Sequence, residues 1–121
     1  MTEQCWALTG GFDEKREHWL VHLHRNVSGE PSSVEADWQW AMKLEEDSGN
    51  LAGFAHTHPD GAGTKPSARD VRTMQAWCIA LGKPLLCIIG EGETLEQADA
   101  YVFDDESSAG EPTKAFTVID N

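Results

Sequence analysis

Two histidines separated by a single threonine, His56 and His58, and an aspartate further along, Asp70, are the side chains of this sequence best suited to hold a metal ion. On an extended strand, residues two apart point to the same side and lie about 6–7 Å apart along the chain. Their imidazoles can therefore converge on one ion, each at about 2.0–2.1 Å from zinc. A third donor must come from elsewhere, and Asp70, in the first turn of the helix expected after residue 66, can swing back over the strand end once the Gly-rich loop reverses the chain. Two neutral imidazoles and one carboxylate leave a fourth position for water, which is the catalytic arrangement and not the closed structural one. Taken singly, the parts have plainer readings. An isolated His-x-His is more often a pair of satisfied or exposed histidines, and Ser67 with Asp70 also reads as a helix N-cap with an acidic residue in its first turn.

The elements that must position these residues can be read from hydrophobic period and turn chemistry. Gln4 to Thr9 reads as a first strand, and Gly10 and Gly11 with the charged stretch 13–17 read as a turn into a second, where Trp19, Val21 and Leu23 alternate with Leu20, His22 and His24. Residues 27–33 read as a loop. Asp37 can cap a helix from Trp38 to about Glu46 with Trp40, Ala41 and Leu44 on one face, stopped by Ser48, Gly49 and Asn50. Leu51 to Thr57 is a third strand in which Phe54, His56 and, on continuation, His58 share a parity. After the Gly- and Pro-rich loop 59–66, Val71, Met74, Cys78 and Leu81 recur at helical spacing, and Gly82 and Pro84 end the helix. The apolar run Leu85 to Ile89 suits a central strand covered on both faces. Ala100 to Phe103 and Phe116 to Ile119 add two short strands, and Ser107 to Thr113 resembles a loose linker. The expectation is a mixed sheet flanked by helices, α+β leaning to α/β, in one domain over residues 1–121.

Composition narrows the function. Hydrophobic residues at 40% and charged residues at 25% belong to a packed globular chain. A net charge of −12 repels phosphate backbones and anionic membrane surfaces, so neither nucleic acid nor membrane is an expected partner. Cys5, Cys78 and Cys87 form no Cys-x-x-Cys pair, and two of them lie in apolar runs where a free thiol packs as a small hydrophobe. With no signal-peptide pattern at the start and no apolar run long enough to span a bilayer, a reducing, cytoplasmic location is expected. His18, His22 and His24 share a strand face with no carboxylate at helix-start spacing, and read as an ordinary strand face. The acidic run Asp104 to Glu106 reads as a solvated turn.

The stretch HTHPDGAGTKPSARD resembles the JAMM or MPN-domain metallopeptidases, whose signature is an upstream Glu, then H-[ST]-H-P, a short loop and S-x-x-D. His56, Thr57, His58, Pro59, Ser67 and Asp70 stand in that pattern, and EQCWALTGG supplies Glu3, Cys5, Leu8 and Gly10 in the register of the family's E-x-C-G-x-L-x-G strand. The similarity runs on through LAGFA and PLLCIIG. It implies a cytidine deaminase-like fold and one zinc ion on His56, His58 and Asp70. It also implies that Glu3 acts as general base and that Ser67 steadies the oxyanion. The expected reaction is cleavage after the C-terminal glycine of a ubiquitin-like protein or its conjugate. A hydrolase acting on a sulfur-carrier tail or small peptide adduct, and a non-catalytic scaffold module, are the other readings; oligomeric state is left open. Three departures from the pattern stand out: eight residues separate His58 from Ser67 where the family usually has seven, Trp6 replaces a common Gly, and Glu3 lies where termini fray.

Overall fold

Strand alternation at the start of the chain does not stop at the paired glycines. In a computed structural model that describes residues 5–25, 38–59, 61–92, 95, 97–104 and 110–119, strand β1 (Cys5–Asp13) runs through Gly10 and Gly11 and pairs antiparallel with β2 (His18–Arg25). The turn is confined to residues 14–17, where the Asp13 carboxylate accepts the Lys15 N–H at 3.0 Å. The expectation of a turn at Gly10 and Gly11 is thus corrected. Gly10 has φ +126°, and a Cβ there would lie 2.1 Å from the Leu20 carbonyl oxygen. This glycine allows close approach of two strands.

Helix α1 (Trp38–Ser48) follows and ends where expected, with Gly49 at φ +68° and its N–H on the Glu45 carbonyl at 2.7 Å. Asp37 lies outside the described residues, as do the side chains of Trp40, Ala41 and Leu44. Strand β3 (Leu51–His58), helix α2 (Ala68–Leu81) and strand β4 (Leu85–Glu91) form a β-α-β unit whose strands pair in parallel. Strands β5 (Asp99–Phe103), β6 (Glu111–Thr113) and β7 (Phe116–Val118) complete a seven-stranded sheet of order β6-β5-β4-β3-β1-β2-β7. Strand β6 lies inside the stretch expected to be a linker. Only three residues long, with Pro112 at its centre, it carries little strand signal and suits a sheet edge.

The two outermost strands are neighbours in the chain, joined by Lys114 and Ala115. A flat sheet of seven strands would hold its edges about 29 Å apart, whereas three peptide units reach about 11 Å. The sheet therefore curls. Met42 of α1 and Met74, Trp77 and Cys78 of α2 pack on one face, over Phe54, Leu85, Cys87, Ile89 and Phe103, with the Phe54 and Trp77 rings 4.9 Å apart. The other face buries Leu8, Trp19, Val21, Ala55, Leu86 and Ile88, with Phe116 and Val118 of β7 packed against them. No described helix covers that face, so the curl itself closes it. Where the curl leaves space, an open groove of about 640 Å³ lies between Phe12 and Trp19 on one side and Val102 and Pro112 on the other. Among the described residues no helix is long and apolar enough to cross a membrane.

Candidate metal centre

The phase of β3 decides which way the histidines face. Opposite Leu8 and Thr9 the pairing of β1 with β3 slips by one residue, so that Leu8 faces Gly53 and Thr9 faces Leu51. Such a bulge shifts alternation by one position, which is why Leu51 and Phe54 share the helix-covered face although they are three positions apart. His56 and His58 follow Phe54 and point towards α2; the intervening Thr57 is fully buried on the other side. Gly53 makes the slip feasible: φ is +149°, and a Cβ would lie 1.8 Å from the Leu86 carbonyl oxygen.

Helix α2 brings the third side chain. Ser67 is its N-cap in a capping box: the Ser67 hydroxyl accepts the Asp70 N–H at 3.1 Å, and the Asp70 carboxylate accepts the Ser67 N–H at 2.8 Å. The plain reading of this pair and the chemical one thus coincide, since the cap fixes the rotamer that aims the Asp70 carboxylate at β3. Asp70 Oδ1 lies 3.1 Å from His56 Nε2, Oδ2 lies 3.1 Å from His58 Nε2, and the two Nε2 atoms are 3.2 Å apart. Behind them Phe54, Met74 and Cys87 form an apolar wall. Burial would raise the Asp70 pKa, but the hydrogen bond and charge of His56 and the hydrogen bonds from Ser67 outweigh it, and the carboxyl is held well below the usual carboxylate range.

Whether this cluster fits a metal can be judged from its own hydrogen bonds. His58 Nδ1 is 3.0 Å from the Gly63 carbonyl oxygen, which can only accept, so Nδ1 carries the proton. A neutral His58 then turns the lone pair of Nε2 towards a carboxylate oxygen and a second imidazole nitrogen. These three atoms stay so close only with a positive charge between them, supplied either by a proton on His56 Nε2 shared with Asp70 or by a metal cation among them. Their separations also match the edges of a tetrahedron about a zinc ion, about 3.3 Å for bonds of about 2.0 Å. His56, His58 and Asp70 form a three-residue group able to hold a metal ion among the described residues. Two nitrogens and one oxygen, with room for a fourth donor, suit hydrolytic zinc better than a structural site.

The remaining residues singled out in the sequence are distributed as follows. Glu3 lies outside the described residues. Ser67 is exposed, at the rim of the cluster. Trp6 packs against the cluster on the inner face of the curl, away from the histidines, and so is neither floor nor rim of the site. His24 bonds the Thr9 hydroxyl at 2.6 Å and His18 the Thr117 hydroxyl at 2.7 Å, as befits a strand face. Cys78 and Cys87 are buried, and the Cys78 thiol donates to the Phe103 carbonyl at 3.3 Å.

Sequence reasoning missed the loop's anchors. One carboxylate oxygen of Glu91, at the end of β4, accepts the N–H groups of Gly61 at 3.0 Å and Gly63 at 2.7 Å. The Tyr101 hydroxyl donates to the Thr64 carbonyl at 2.9 Å, and the Thr64 hydroxyl donates to Asp99. Nothing in the run CIIGEGE marks Glu91 as different from its acidic neighbours. A family model described as prokaryotic homologs of the JAB domain matches residues 1–103, which takes in β1 to β5 and the whole cluster. No curated protein matches the chain.

Proposed function

Since the chain belongs to the prokaryotic JAB-domain family, we propose that it is a zinc-dependent peptidase or isopeptidase that cleaves after the C-terminal glycine of a ubiquitin-like protein. The observation that carries this reading is the convergence of His56, His58 and Asp70 with two ring nitrogens and a carboxylate 3.1–3.2 Å apart. Zinc held there would acidify a water towards a pKa of about 7 and polarise the scissile carbonyl. Glu3 would serve as the general base that accepts a proton from the attacking water and returns it to the leaving amine. Support for Glu3 comes from the sequence pattern: it stands two residues before Cys5, which lies opposite His56, in the register of the family's E-x-C-G-x-L-x-G strand. The Ser67 hydroxyl accepts from the Asp70 N–H, which leaves its own hydrogen to donate to the oxyanion that develops on the substrate carbonyl. The apolar wall behind His56 keeps bulk water from that side of the cluster.

An extended C-terminal tail would lie along the sheet beside this site, with main-chain hydrogen bonds giving affinity and small pockets rejecting bulky side chains. The decisive experiment combines metal analysis of the purified protein with cleavage of ubiquitin-like fusions and sulfur-carrier tails, before and after treatment with a strong chelator. Zinc near one equivalent and chelator-sensitive cleavage are expected. Stoichiometric zinc without cleavage of any tail would move the reading to a binding module, and full activity without metal would end it.

A further inference from the structure

Glu91 lies at the end of β4, directly opposite His58 in the parallel ladder, and the Gly92 N–H donates to the His58 carbonyl at 2.8 Å. A carboxylate exposed at a strand end is ordinarily solvated. This one instead gathers two backbone amides of the Gly-rich loop onto a single oxygen, Gly61 at 3.0 Å and Gly63 at 2.7 Å. Gly61 and Gly63 have φ of +89° and +81°, so this loop has wide backbone freedom to lose and little of its own to hold it. The carbonyl of the same Gly63 accepts from His58 Nδ1 at 3.0 Å. Glu91 to the Gly63 amide, and the Gly63 carbonyl to His58, form one continuous relay from strand end to imidazole.

We propose that Glu91 is a positioning residue for the metal site, bracketing the loop so that the Gly63 carbonyl keeps the proton of His58 on Nδ1 and its Nε2 lone pair turned towards the metal. The proposal rests on the zinc reading above. Without the bracket the carbonyl moves away and His58 is free to carry its proton on Nε2, where it opposes metal binding. Acceptors behind metal-ligating histidines commonly change affinity about 10–100-fold. Here that acceptor is a backbone carbonyl, and Glu91 acts one step behind it.

Two variants separate geometry from charge. Glu91→Gln keeps an oxygen that can accept both amides but loses the charge; Glu91→Asp keeps the charge but is too short by one methylene to reach them. In full-length protein, zinc affinity is measured by competition with a chromophoric chelator. The tautomer of His58 in the metal-free protein is read from long-range nitrogen–proton NMR correlations. We expect Glu91→Gln to bind zinc within about threefold of the parent, and Glu91→Asp and Glu91→Ala to bind about 10–100-fold more weakly and to lose the Nδ1–H tautomer. The opposite ranking, Asp retaining and Gln losing affinity, would make Glu91 a source of field only and overturn the bracket, as would an unchanged tautomer in Glu91→Asp. If the parent binds no zinc, the hydrolase reading fails, yet the tautomer comparison still decides the role of Glu91. Should Glu91→Ala not fold, the Gln and Asp pair carries the test.

Discussion

Asp70 answers to two masters, the helix it caps and the histidines it faces, and its substitution separates them. Asp70→Asn keeps an oxygen for the Ser67 N–H but removes the negative charge among the ligands, so zinc affinity should fall by more than about 100-fold, measured by chelator competition. Glu3→Gln should keep zinc and lose about 10²–10⁴ in cleavage rate; unchanged turnover would remove Glu3 from the mechanism. In the metal-free protein Asp70 also links stability to acid. Its folded pKa lies below the ordinary value, so its contribution is complete above pH about 4 and is lost as pH falls below it. The urea midpoints of the parent and Asp70→Asn should therefore differ at pH 5 and converge towards pH 2. The clustering of His56, His58 and Asp70 was legible in sequence because histidines two apart on a strand and an aspartate in a helix's first turn leave a fixed spacing. Glu91 left no such trace, because it acts through backbone amides and any residues could supply those.

Among elements, α2 was the most readable. Val71, Met74, Cys78 and Leu81 repeat at helical spacing between a Ser cap and Gly82 at φ +67°, and all four pack inward. The paired glycines of β1 misled, since glycine marks both turns and places where strands approach closely, and only the partner strand tells which. A matched pair of substitutions exposes the difference. Gly11 has an ordinary φ and nothing within 4 Å of a built Cβ, so Gly11→Ala should change stability by less than about 0.5 kcal/mol. Gly53→Ala meets the Leu86 carbonyl and a strained φ, and should lose about 2–4 kcal/mol in urea unfolding. Because that glycine sets the phase of β3, the variant should also weaken zinc binding. Equal stability of the two variants would mean that β3 tolerates another register.

At the scale of the molecule, the coarse description held: a mixed sheet with two helices, drawn from consecutive strands followed by alternating helix and strand. The curl was not legible, because it depends on two three-residue strands taking opposite edges of the sheet while adjacent in the chain. Phe116→Ala, at the partly buried end of the inner cluster, should cost about 1–2 kcal/mol and move Trp19, now 6% exposed, towards water. A red shift in tryptophan emission below the unfolding transition would report it. The link through Lys114 and Ala115 works as the clasp of a hoop: Ala115 accepts the Trp19 N–H at 2.8 Å, and Ile119 donates to the Val21 carbonyl at 2.8 Å. Releasing either outer strand slackens the other, so deuteration of the Glu111 and Thr113 amides and of those along 116–119 should rise together, at one opening rate, although these segments occupy the two extreme lanes of the sheet.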